Sequence, residues 1–499
     1  MIRVAFWAVA CLMSAAAAWA EDGRWLRAET RHFVLYSNEL PQRVREAAEQ
    51  LEQFDHLLRL VTQQPPPAEA QKLEVYLLAT QPQLAIVQPG LGESVAGFYA
   101  ARTEMVAAFS VAGRRFDVDG QEILFHEYAH HFLYQNFNFP YPGWFIEGFA
   151  EYMQTAEVSA TRLSWGRPTT IRGSWLLNGG DQLPLNQVLR RVSIDRGDDV
   201  GYFYAQSWLL THFMLSVPEN RAPLQNYFQR IANAEPADEA LYAALGMDEN
   251  AIERRLRQYV RGRVTFTTLN LGQPLVTEVA ISRLPRSADD LLLPMARLRL
   301  GVSDDVAEDL VARIAAIAAR YPGDAYAVRA HAYALALYGD AAAARARIAP
   351  VLTADPNDAN AHYITGLAWL RDARAGDAAA RLEARRAFVR AFRLDDAHVP
   401  TLYRYVETFT DLNQPLSARD LDVLLRAHDL APQVFEIGAN AAAQLAAARR
   451  YREAIATLTP FAQDPHGGPR AERARAMIAA YAMGQGMQNE AAQAAPAAP

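Results

Sequence analysis

"FHEYAHHFLYQNFNFPYPGWFIEGFAEYM", residues 125–153, decides how the chain is read. His126 and His130 stand at i and i+4. On a helix both imidazoles leave one face, a turn apart, so two neutral ring nitrogens can reach one cation. Glu127 follows His126 and is rotated about the axis, a place suited to holding a water and taking its proton rather than to ligation. Zinc bound this way needs a third protein ligand, with a further position left to water. Pro140, Pro142 and Gly143 break the helix and allow the chain to return. The returning helix carries Glu147 and Glu151, again four apart, so they too share a face. One of the pair can bind the metal while the other hydrogen-bonds a liganding histidine. A buried polar helix pair without metal is the competing reading. It is disfavoured because that many buried ionisable groups need partners.

Cysteine cannot complete the site. The only cysteine among the 499 residues is Cys11, inside an N-terminal segment "MIRVAFWAVACLMSAAAAWA" with a basic start, an apolar run and an A-x-A ending. That segment reads as a secretory signal cleaved after Ala20, giving an exported, periplasmic or secreted protein. The alternatives are an uncleaved anchor, for which the run is short, and a lipoprotein at Cys11, for which "AVAC" lacks the usual leucine. No other apolar run is long enough for a membrane span. With 51% hydrophobic and 21% charged residues the composition is that of a globular protein, and its net charge of -7 argues against nucleic-acid binding.

Upstream of the histidines, "HFVLYSN" (32–38), "KLEVYLLA" (72–79) and "EMVAAFS" (104–110) have strand character. "LPQRVREAAEQLEQFDHLLRLV" between the first two is helical, with Pro41 at its start. "EMVAAFS" is expected to offer an edge to an extended substrate backbone. Downstream, "GYFYAQSWLLTHFMLSV" and "DENAIERRLRQYVRGR" continue the helical pattern. Residues 263–288 lack periodicity and read as linker. Beyond about residue 290 the prolines Pro322, Pro356, Pro432 and Pro465 recur at 34, 76 and 33 residues, the middle interval fitting two units. Paired amphipathic helices at this period are the mark of tetratricopeptide-type (TPR) repeats, with a plain helical bundle as the competing reading. "YREAIATLTPFAQDP" has Ala454, Leu458 and Phe461 at the packing positions of a second helix. "NAHYITGLAWL" has Gly366 at the close-approach position of a first helix. The end of the chain, "GQGMQNEAAQAAPAAP", has too little apolar bulk to fold.

"HEYAH" followed by "WFIEGFAEY" resembles the gluzincin metallopeptidases, closest to the bacterial peptidase MA families and to DUF1570 proteins, which often carry TPR repeats. The resemblance covers roughly residues 30–260. It implies Glu147 as third zinc ligand and Glu151 as supporting carboxylate. It also implies a tyrosine donor to the oxyanion; "YAQSWLL" resembles the family's segment and puts Tyr204 there, with Tyr202 and His212 as rivals. Ile146 stands where the aminopeptidase branch has asparagine, and no G-A-M-E-N-like segment precedes the zinc helix, so endopeptidase action is favoured.

The expected fold is an α+β zincin-like metallopeptidase domain followed by an all-α TPR-like solenoid. Its parts are a signal peptide 1–20, a small N-terminal sheet region 21–118, a helical zinc-binding part 119–265, a linker 266–289, repeats 290–482 and a disordered tail 483–499. The expected site is His126, His130 and Glu147 around Zn(2+), with Glu127 as base, Tyr204 as donor and Glu151 behind them. The expected partners are a protein or peptide substrate and a protein bound by the repeats. The competing function is an exported TPR scaffold whose peptidase-like part is silent. His131, His32, His56, His331 and His428 have no partner pattern and read as structural or exposed, and Trp144, Phe145 and Phe149 read as core.

Overall fold

The computed structural model describes residues 22–494 except 67–70, 93–94, 112–113, 116–117, 178–181, 195–198, 263 and 411–414. The signal-peptide reading of residues 1–20 lies outside the described residues. The chain is mostly helical, with a small N-terminal sheet and a helical repeat-like region towards its C-terminus. It forms two compact units, each assembled from distant stretches: residues up to 49 with 70–115 and 277–414, and residues 50–69 with 116–276 and 415 onwards. This differs from the division read in the sequence, where the N-terminal sheet joined the zinc helices and the repeats stood apart. Here the repeat region is divided between the two units.

In the first unit the sheet contains β1 (Asp22–Glu29), β2 (Phe33–Ser37), β3 (Leu73–Leu78), β4 (Gly97–Arg102), β5 (Met105–Val111) and β6 (Ala280–Pro285), in spatial order β6-β1-β2-β3-β5-β4. β2, β3 and β5 run parallel, and β1, β4 and β6 close the edges antiparallel. The three strands read in the sequence are β2, β3 and β5. β5 is paired on both sides, Ala108 with Val75 of β3 and with Tyr99 of β4. It therefore has no edge to offer an extended substrate, because β4 folds back on it through a tight hairpin. β6 and the strand Thr267–Asn270 correct the reading of 263–288 as linker. Thr267–Asn270 is exposed and mostly polar, and in β6 (AISRLP) the apolar residues do not alternate and none is fully buried, so neither carries the hydrophobic alternation of a half-buried strand.

One face of the sheet, with Trp25, Tyr76, Leu78 and Phe109, packs on the helix Ala288–Leu300 through Leu292, Leu293 and Ala296. From Asp304 to Thr410 helices follow in pairs, each packed chiefly on the next. The period has a steric basis: Gly366 lets its helix approach the following one so closely that a Cβ would lie 2.5 Å from Phe388 Cε1. The second unit repeats the device, with Gly438 against Phe461 at 2.6 Å, and Ala454 and Leu458 fully buried beside it. The last helix runs from Pro469 to Ala494. The expected disorder of the tail is thus corrected as far as 494, since alanine favours helix; residues 495–499 lie outside the described ones.

Glu104, in the β4–β5 hairpin, ties three repeat helices to the sheet. Its Oε2 accepts from the Tyr333 and Tyr363 hydroxyls, the latter at 2.7 Å, and its Oε1 accepts from Arg404 Nη2 at 2.7 Å and Nε at 2.9 Å. These residues lie on Ala325–Tyr338, Ala359–Arg374 and Val399–Thr410, alternate helices of the run. Burial pushes the Glu104 carboxyl up, but Arg404 and the two tyrosines outweigh it and hold it below its ordinary range. A depressed carboxyl stabilises the fold above its unfolded value, about 4.3, and that stability is lost as the pH falls through the folded value. Glu104→Ala is expected to cost about 3 kcal/mol, the lower end for breaking a buried pair, since Glu407 still faces Arg404 at 2.7 Å. Urea unfolding at pH 7 and pH 3 checks this, and the gap between variant and wild type should shrink at the lower pH.

Candidate metal centre

The site lies in the second unit and starts from two helices. Gly120–Asn136 carries the histidines; its Phe125 ring stacks on Phe54 at 3.9 Å, and Tyr128 donates to Asp55 at 2.7 Å. These contacts fix the rotation of the helix, which determines where His126 and His130 point. Gly143–Met153 has every residue buried, as expected for a helix apolar on all sides. Glu147 and Glu151 are the only charges in it. Trp144, Phe145 and Phe149 are core, and the Trp144 indole donates to the Tyr227 hydroxyl at 2.9 Å.

Gly148 sets the approach of this helix to Val200–Ser216, which carries Tyr204. A Cβ at 148 would collide with Thr211 Oγ1 and the Ser207 carbonyl. Because the obstacle includes backbone, Gly148→Ala is expected to cost about 1–3 kcal/mol. The fall in the unfolding midpoint measures it; an unchanged midpoint would mean the two helices can part freely.

The structure brings His126, His130 and Glu147 together. His126 Nε2 and His130 Nε2 are 3.0 Å apart, and Glu147 Oε2 lies 3.7 Å from the first and 3.5 Å from the second. Tetrahedral zinc with bonds near 2.0–2.1 Å sets ligand atoms about 3.3 Å apart, so this triangle has the size of one face of such a site. Both Glu147 oxygens are fully buried with no hydrogen bond, and so is Nδ1 of His130. Burial pushes the Glu147 carboxyl up, yet the imidazoles of His130, His466 and His126 outweigh it and hold the carboxyl well below its usual range. A buried carboxylate facing imidazoles, with its own oxygens unsatisfied, fits a divalent cation.

Glu127 is half-buried and is not among the three ligand atoms. Its charge acts on His126, Tyr204 and His466, which places it at the same site. Tyr204 is there too: its ring lies 6.4 Å from that of His126, and its hydroxyl 3.3 Å from His466 Nε2. Burial, then the charges of Glu147 and Glu151, push its phenol far up, so it keeps its proton. The two rivals stand elsewhere. Tyr202 packs edge-on against Trp175, and His212 is buried between the Tyr259 hydroxyl and the Thr265 carbonyl. His131 is buried, its ring stacked on Tyr128.

Glu151 is placed differently from the reading that gave it a histidine to bond. It comes within 4.0 Å of His126 Nδ1, too long for a hydrogen bond. Instead Arg172 takes both its oxygens, at 2.7 and 2.8 Å, and Gln154 donates at 2.9 Å. The planar guanidinium fork matches a carboxylate better than a single ring nitrogen does. Arg172 also lies 4.8 Å over the Tyr204 ring, linking Glu151 to the donor.

Sequence reasoning missed Arg172 and His466. Nothing local marks Arg172. His466 lies in "QDPHGG", which reads only as a turn between repeat helices, yet its Nε2 is 3.2 Å from Glu147 Oε1. No protein family and no curated protein matches the sequence. Among solved structures the chain is similar to a thermophilic TPR protein of Thermus thermophilus, at 16% identity and a TM-score of 0.33, covering 38% of this chain and 98% of that one. A likeness of that size decides neither fold nor function.

Proposed function

We propose that the protein is a zinc-dependent peptidase of gluzincin type, hydrolysing peptide bonds in protein substrates. The observation that carries this reading is the triangle of His126 Nε2, His130 Nε2 and Glu147 Oε2 at zinc-ligand separations around a buried, unsatisfied carboxylate. When bound, zinc would acidify a water and polarise the scissile carbonyl. Glu127 takes the proton of the attacking water and passes it to the leaving amine, the task of a carboxylate at reach of both. Tyr204, kept protonated, donates to the oxygen that gains charge. Arg172 holds Glu151 and flanks the Tyr204 ring, so the donor is positioned by the side chain that also fixes Glu151, one turn from Glu147 on the same helix.

A zincin-like arrangement of the second unit and endopeptidase action belong to the same proposal, the latter favoured by Ile146 where aminopeptidases have asparagine. Export rests on the leader-like first twenty residues, and a protein partner for the repeats remains part of the proposal. Among the described residues no helix is long and apolar enough to cross a membrane.

The test is zinc content of the full-length protein by elemental analysis, together with cleavage of unfolded casein. About one zinc per chain, with cleavage stopped by a chelator and restored by zinc, is the expected result. Stoichiometric zinc with no cleavage of any member of a peptide library would instead favour the scaffold function.

A further inference from the structure

The turn between the helices Tyr451–Gln463 and Pro469–Ala494 reaches the metal centre, and its position is built rather than loose. Asp464 Oδ1 accepts from the His466 backbone N–H at 2.9 Å, and the Asp464 carbonyl accepts from Gly467 at 3.1 Å. Gly468, at φ +48°, turns the chain into the last helix. Pro465 is buried, and its carbonyl accepts from Ile194 N–H at 3.0 Å. Its Cβ lies 3.4 Å from where a Cβ would stand on Gly143, the first residue of the Glu147 helix. The turn is therefore held against that helix by contacts that owe nothing to the His466 side chain.

From this platform His466 Nε2 comes within 3.2 Å of Glu147 Oε1 and 3.3 Å of the Tyr204 hydroxyl. It approaches Glu147 from the side away from His126 and His130, whose Nε2 atoms lie nearest the other oxygen, Oε2. Among the described residues no other ion-pairing group approaches Oε1 as closely. The two oxygens are thus divided: Oε2 faces the imidazoles of the motif helix and Oε1 faces the imidazole of the turn. A carboxylate ligand left alone can swing to bind a metal through both oxygens. One whose outer oxygen is met by a ring nitrogen at 3.2 Å, as Oε1 is by His466, is kept from swinging and presents only the inner one.

We infer that His466 is a positioning residue that fixes Glu147 as a one-oxygen metal ligand, and that the C-terminal helical segment is therefore part of the metal centre rather than an appended binding module. The inference rests on the metal-site reading above and deepens it. It assigns the final helix pair a function that no motif in it announces.

The test uses the full-length chain, His466→Ala and His466→Gln. The glutamine amide nitrogen reaches close to where Nε2 stood, can donate to Oε1, and is a poor zinc ligand. Zinc affinity is read by competition with a chromophoric chelator, and ligand geometry by the visible spectrum of the cobalt-substituted protein. His466→Ala should weaken zinc binding about 10- to 100-fold, the usual effect of removing a partner of a metal ligand. Its cobalt bands should also lose intensity as Glu147 binds through both oxygens. His466→Gln should recover most of the affinity and the wild-type spectrum. The metal-free unfolding midpoint should stay the same in both variants, because the side chain is half exposed.

An alanine variant with wild-type affinity and spectrum overturns the inference while leaving the metal site standing. A glutamine variant that behaves like alanine also overturns it, and points to His466 as a ligand itself. A wild-type chain that takes up no zinc brings down the metal reading, and this inference with it.

Discussion

Glu127→Gln is expected to keep its zinc and lose catalysis by about 10²- to 10⁴-fold, the usual contribution of a general base. The substitution preserves size and leaves the ligand triangle untouched, since Glu127 lies one residue from His126 but outside the three ligand atoms. Among the described residues no ion pair or hydrogen bond engages its carboxylate, so the loss should not unfold the site. An amide cannot accept the proton, which is why the effect should appear in kcat rather than KM. Metal content and casein cleavage are measured on one sample. Full activity would place the base elsewhere, and loss of zinc would make Glu127 a ligand.

The other large effect is expected at Glu147. Glu147→Ala removes the only carboxylate of the triangle and should weaken zinc binding by more than about 100-fold, beyond what the loss of an outer partner costs. It should also remove activity altogether. The same change takes a fully buried charge out of the core, so the metal-free protein should not be destabilised as strongly as the zinc-loaded one. Equilibrium dialysis and thermal unfolding with and without zinc separate the two. If zinc uptake were unchanged, Glu151 would have to be the ligand, against its engagement by Arg172.

The motif was legible because helical spacing is a local rule: once "QEILFHEYAHH" is a helix, His126 and His130 share a face whatever surrounds them. Glu147 was legible for a similar reason, as a break followed by a second acidic pair at the same spacing limits where a third ligand can come from. Glu151 was assigned the wrong neighbour because the competitor, Arg172, sits on a short helix without periodic signal. His466 was not legible at all. It lies more than three hundred residues from Glu147, in a turn whose glycines and proline announce only a reversal of direction. β6 escaped because an exposed edge strand needs no apolar alternation, and its partner β1 stands some 250 residues upstream. The partition of the repeats between two units was equally hidden. Gly366 against Phe388 and Gly438 against Phe461 are the same local device, and nothing in either shows which neighbour the pair will join.

The threading of the chain through both units has a consequence for how the protein comes to be folded. Each unit takes strands or helices from an early stretch and helices from a late one, so neither can close while its last segment is still being made on the ribosome. The nascent chain stays incomplete until the final helix pair emerges, and contacts separated by hundreds of residues make such closure slow. Chaperones that bind unfolded chains would have their longest opportunity on this protein, and stopping synthesis near residue 275, before the late stretch of either unit, should release a product that proteases digest from end to end rather than one protected half.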